Sequence, residues 1–183
     1  MGRVYVSQGK HEMALELYEK SRAITIKVLG EDHPSVANTY NNIATVYQSQ
    51  GRYEMTLELY EKSLAIRTKA LGEDHLDVAT TYTNIAGVYY KQGKHEMALE
   101  LHEKCLAIRI KVLGEDHPEV AGTYNNIATV YESQGKYEMA LELYAKSRVI
   151  TIKALGEDHS DLAATYNNIA GVYTKQGKHE TAL

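Results

Sequence analysis

The sequence predicts an all-α superhelical solenoid of antiparallel helix pairs. Three observations predict it. The string Leu-Gly-Glu-Asp-His begins at Leu29, Leu71, Leu113 and Leu155, a repeat of 42 residues. A Gln-Gly pair recurs in the same register, with glycines at Gly9, Gly51, Gly93, Gly135 and Gly177. Between these marks the apolar residues keep a helical period and nowhere alternate as a strand would. A fixed period of about 20–50 residues signals stacked supersecondary units, and such stacks offer long exposed surfaces that suit binding. The 183 residues therefore read as one array: a partial unit 1–33, units 34–75, 76–117 and 118–159, and a partial unit 160–183.

The elements follow in order. Arg3 to Gln8 reads as the tail of a first helix, and Lys10 to Leu29 as a second helix. In the unit opening at Pro34, Ser35 to Gln50 carries Val36, Tyr40, Ile43, Ala44 and Tyr47 at the spacing of one helix face. Gly51 ends that helix, as a glycine just past a helix commonly does. The next helix runs from about Tyr53 to Ala70, with Met55, Leu57, Leu59, Tyr60, Leu64, Ala65 and Ile66 apolar. Its wetter side holds Glu54, Glu58, Glu61, Lys62, Arg67 and Lys69, and Gly72 stops it. Proline at Pro34 and Pro118 suits a first helical turn, with Asp or Ser nearby as the cap. Connections this short make the paired helices antiparallel neighbours. Asp161 to Gln176 is the last first helix, and Glu180 to Leu183 only begins a second one.

Composition narrows the function. A net charge of -4 argues against a nucleic-acid binder that lives on phosphate contacts. No apolar run approaches the roughly 18 residues that would span a bilayer, so no membrane partner is expected. Cys105 is the sole cysteine, which fits a reducing, cytoplasmic setting. With 15 tyrosines and neither Phe nor Trp, tyrosine must fill the aromatic core positions.

The pattern Asn-Asn-Ile-Ala-x-Val-Tyr-x-x-Gln-Gly-x-Tyr-Glu-x-Ala-Leu-x-Leu-Tyr-x-Lys-Ser stands at Asn125 to Ser147, and nearly so at Asn41 to Ser63. It resembles a tetratricopeptide repeat. The usual repeat has about 34 residues. The longer unit here, with its Leu-Gly-Glu-Asp-His loop, resembles the repeats of kinesin light chains and related scaffolds. The chain shows nothing like the heptad coiled coil of kinesin light chains. The resemblance implies protein–protein recognition, with first helices lining a concave groove that holds a peptide segment of a partner. Two other functions are weighed: a cargo-adaptor module like that of kinesin light chains, and a structural protein whose units stack head to tail.

Comparison of the units locates the candidate site. Units 34–75 and 118–159 differ at 10 of 42 positions, so an 84-residue superperiod underlies the shorter one. Opposite the expected core stripe stand Asn38, Asn41, Thr45, Gln48 and Ser49, with Asn42 at the edge. Asn38 becomes Thr80, Gly122 and Ala164, and Gln48 becomes Tyr90, Glu132 and Thr174. Asn42, Asn84, Asn126 and Asn168 do not change. An amide side chain offers two donors and an acceptor, enough to hold an extended peptide backbone whatever its sequence; the resemblance implies that role. The alternative is that the asparagine ties its helix to the next unit. The expected peptide-binding set is these four with Asn41, Asn125, Asn167, Tyr90, Lys91 and Lys175, the lysines favouring an acidic segment.

Other residues invite chemistry without supplying it. Glu31-Asp32-His33 and its copies have metal-ligand types, but three adjacent loop residues rarely converge on one ion; helix start and loop packing is the expected role. Cys105 replaces Ser63 and Ser147 at a small-residue position, and His11, His95 and His179 replace Tyr53 and Tyr137. Both exchanges read as packing. Without a nucleophile triad, Walker loop or dinucleotide fingerprint, no enzyme, cofactor or metal is expected. The ends fall inside units and lack polar caps, which arrays generally need. The expectation is a piece of a longer array, with a possible homo-oligomer in which the last first helix of one chain docks on the first second helix of another.

Overall fold

A computed structural model describes residues 10–177. Among the described residues are eight α-helices and no strand. They are α1 (His11–Leu29), α2 (Pro34–Ser49), α3 (Tyr53–Leu71), α4 (Leu76–Lys91), α5 (His95–Leu113), α6 (Pro118–Ser133), α7 (Tyr137–Leu155) and α8 (Ser160–Lys175). The chain divides into two compact halves, Met1–Gln92 with α1 to α4 and Gly93–Leu183 with α5 to α8. A shift of 84 residues carries each helix of the first half onto its counterpart in the second. Gly9, His179 and the helix remnants expected at Arg3 to Gln8 and Glu180 to Leu183 lie outside the described residues.

Glycine sets both kinds of boundary. The 19-residue helices end at Gly30, Gly72, Gly114 and Gly156; Gly72 has φ 88 and ψ 159, and its N–H bonds the Thr68 carbonyl at 3.0 Å. That region of backbone space is essentially closed to residues with a Cβ. The 16-residue helices end at a glutamine followed by a left-handed glycine, φ 72 at Gly51.

The helix starts correct an expectation. The cap is neither Asp nor Ser but the histidine of the recurring loop. The amides of Ser35, Asp77, Glu119 and Asp161 donate to Nδ1 of His33, His75, His117 and His159 at 3.1 to 3.2 Å. Each histidine has an extended backbone, as a capping residue needs, and its ring nitrogen reaches the second helical amide.

Within each half, partners on paired helices run in opposite directions. Ser63 Oγ donates to the Ala37 carbonyl at 3.0 Å, while Tyr60 meets Thr45 and Gln48; α2 and α3 are therefore antiparallel. Because α2 packs on both α1 and α3, its core stripe is wider than expected: Val36, Ala37, Thr39, Ile43, Ala44 and Val46 are all buried. Tyr40 and Tyr47 are only half-buried. Their rings lie at the edge, where Arg22 and Arg52 cover them at 5.2 and 4.7 Å from the ring centroids. The fully buried tyrosines are Tyr60 and Tyr144, on second helices.

Arg67 is the second correction. Expected on the wet side of α3, it is 6% exposed. Thr56, Tyr60, Ser63 and Arg67, at spacings of four, three and four, form the buried stripe of that helix. Cys105 is buried, with Sγ 4.0 Å from Thr123 Oγ1, as a packing residue should be.

Candidate functional site

The expected face of the first helices takes shape from helical phase. With Val36, Ile43 and Ala44 turned to the core, Asn38, Thr45 and Ser49 of α2 come out exposed, and Asn41, Asn42 and Gln48 half-buried at the margin. On α4, Thr83, Asn84 and Tyr90 are half-buried and Lys91 is exposed. On α6 and α8, Asn125, Asn126 and Asn168 are half-buried, and Asn167 and Lys175 are exposed.

The halves tie this face together differently. In the first, Asn84 Nδ2 donates to Asn41 Oδ1 at 2.9 Å, joining α4 to α2. In the second, Asn125 Nδ2 instead donates to Thr165 Oγ1 at 3.1 Å, joining α6 to α8. The cause lies beneath. In the first half Arg67 occupies Thr81, the counterpart of Thr165: Nη1 donates to Thr81 Oγ1 at 2.8 Å and to the Asp77 carbonyl at 3.0 Å. Its Nη2 donates to Asn38 Oδ1 at 2.7 Å. In the second half Thr151 and Gly122 stand at those two places, leaving the Thr165 hydroxyl to the asparagine.

Charge differs as well. The Tyr144 hydroxyl donates to Glu132 Oε2 at 2.9 Å, and the other carboxylate oxygen receives Lys175 Nζ at 2.8 Å. In the first half the corresponding acceptor is neutral: Tyr60 donates to Gln48 Oε1 at 3.4 Å. Burial pushes the Tyr60 hydroxyl above its ordinary pKa, so it stays a donor. Lys91, the counterpart of Lys175, thus has a glutamine where Lys175 has a carboxylate. Of the expected basic contributors, Lys175 is neutralised locally.

The structure brings Asn41 together with Asn84, and Lys175 with Glu132. The residues missed in the sequence are Arg67, Asn38 as its partner, and Glu132. Their signal was partial: Asn38 stands with Arg67 and Gly122 with Thr151, but the unit between them keeps Arg109 with Thr80.

The recurring loop serves helix starts. His33 caps α2, and Asp32 pairs with Lys69 as Asp116 does with Lys153. No group of three His, Cys, Asp or Glu side chains able to hold a metal occurs among the described residues. His11 and His95 lie 3.4 Å from Ser49 and Ser133, an exchange between helices rather than a reactive pair. No described helix is long and apolar enough to cross a membrane.

Comparison with known proteins agrees with this architecture. The tetratricopeptide repeat family model matches residues 1–68, 35–111, 77–148 and 119–183. Among solved structures, the chain is similar to a Podosopora anserina protein described as a kinesin light chain with nearly identical TPR-like repeats. Identity is 30% with a TM-score of 0.80, over 99% of this chain and 86% of that one. It is also similar to BtubC (BKLC) from P. vanneervenii, with 25% identity, a TM-score of 0.86, and 99% and 72% of the two chains covered. RapI in its apo form, 20% identical with a TM-score of 0.80 over 99% and 48% of the chains, shares the fold. A comparison with curated protein sequences found no match.

Proposed function

The chain belongs to the tetratricopeptide repeat family, and from that premise we propose that it is an interaction scaffold whose first-helix faces hold a peptide segment of a partner protein. One observation carries the reading. The buried positions of the first helices repeat almost unchanged, the face varies at positions 38 and 48 and their copies, and yet a half-buried asparagine recurs at 42, 84, 126 and 168. Such an amide bonds backbone without reading side chains, while its variable neighbours supply selectivity. The Asn84–Asn41 bond leaves that use open, because it engages one of two donors on Asn84.

The test is binding. Peptides selected from a displayed random library on the wild-type chain are titrated against Asn84→Ala with Asn126→Ala. The expected result is a loss of at least about tenfold, roughly 1.4 kcal/mol, for the removed backbone bonds. Unchanged affinity would remove the asparagines from the site.

Self-association is a second reading. It is favoured by apolar side chains left open on α1, where Ile24 is 64% and Val28 71% exposed. A light-scattering mass that climbs with concentration supports it; a steady mass near 20.5 kDa rejects it.

A further inference from the structure

The second half carries a cleft of about 430 Å³, lined by Glu115 and Asp116 of the α5–α6 loop, Tyr124 of α6, and Ala145, Val149 and Ile150 of α7 with Glu142 and Lys146 beside them. None of the asparagines lines it. Its floor is apolar, and Val149 is 59% exposed.

The first half shows what belongs in such a place. There the counterpart of Tyr124 is Tyr40, and the Arg22 guanidinium lies over its ring at 5.2 Å while pairing with Glu19 at 2.6 Å. Glu61 of that half is the counterpart of Ala145. In the second half Arg22 is replaced by Leu106, Glu61 by Ala145 and Ala65 by Val149. The tyrosine ring remains, the arginine is gone, and the floor has gained apolar surface. Three carboxylates line the cleft as well, Glu115, Asp116 and Glu142. Asp116 pairs with Lys153 and Glu142 with Lys146, while Glu115 has no ion-pair partner among the described residues. A guanidinium is drawn to an aromatic face and to carboxylates at once.

We propose that this cleft binds an arginine side chain of a partner protein, its guanidinium over the Tyr124 ring and its apolar neighbours on Ala145, Val149 and Ile150. Small apolar clefts with a few convergent polar groups are common ligand sites. The occupant named here is the group the first half supplies from its own chain.

The probe is the capped peptide acetyl-Leu-Arg-Leu-amide, titrated into the nitrogen-15-labelled chain and followed by NMR. Its control carries citrulline, a neutral isostere, in place of arginine. Saturable shifts are expected at Tyr124 and along Glu142 to Ile150, with the citrulline peptide about tenfold weaker. Leu106→Arg with Ala145→Glu rebuilds the filled arrangement and should abolish binding. Arg22→Leu with Glu61→Ala should create binding around Tyr40. Tyr124→Leu, which keeps the apolar wall, guards against a variant that misfolds and should also lose the preference for arginine. Equal binding of the two peptides, shifts elsewhere only, or full binding after the cleft is filled would overturn the proposal.

Discussion

The two halves are copies displaced by 84 residues, and the junction of the last two helices is wired differently in each. Between α3 and α4, a buried arginine spans from Asn38 to Thr81 and the Asp77 carbonyl. Between α7 and α8, Thr151 turns inward to the Ser147 carbonyl, and Asn125 takes the hydroxyl of Thr165. The arginine is found with acceptors around it, because a buried guanidinium without acceptors is costly. The lesson is that a repeat can change its internal wiring without changing its helices, and the rewiring reaches the exposed face through the asparagines. Burial lowers the tendency of Arg67 to hold its charge, with Asp77 opposing that effect; acceptors around it are therefore a condition of its presence.

The largest break in the comparison is Arg67→Ala. It removes three hydrogen bonds and leaves the space of a long side chain between α3 and α4, at a cost of about 3 kcal/mol by chemical denaturation. Arg67→Thr with Asn38→Gly copies the second half instead and should cost only about 1 kcal/mol, with Asn41 turning to Thr81. Equal losses in the two variants would show that the paired change has no structural meaning.

The next effect is set by pH. His102 takes the place that Tyr60 and Tyr144 hold in their repeats, and it is 4% exposed. Burial first, and then the Arg109 guanidinium, depress its pKa from 6.5 to about 4. The unfolded chain therefore binds the extra proton first. Stability from this site is complete above pH 6.5 and drains away as pH falls toward 4. The loss amounts to roughly 3 kcal/mol at most. His102→Tyr should flatten that part of the stability profile. An unchanged slope between pH 6.5 and 4 would place the acid sensitivity elsewhere.

Much of this is legible in the sequence. Helix order, the glycine stops and the packing role of Cys105 follow from a 42-residue period and helical spacing. The histidine caps are not, since histidine is outside the usual capping set and its ring works here only through an extended backbone. Arg67 was hidden by its own charge: it completes the stripe of Thr56, Tyr60 and Ser63, but a charged residue reads as solvent-facing. The Lys175–Glu132 pair joins residues 43 apart on separate helices, a proximity that only packing reveals. Asn41 and Asn84 are joined the same way, so helical phase placed each residue on the face without showing that they meet.

The central claim is that the recurring asparagines serve a ligand and are not needed for the scaffold. Its most direct test is the melting temperature of the chain with Asn84→Ala and Asn126→Ala beside wild type. Alanine is the better helix former and offsets the lost Asn84–Asn41 bond, so the predicted change is under about 3 °C. A fall of more than about 8 °C would mean that the asparagines hold the repeats together, and the claim would fail.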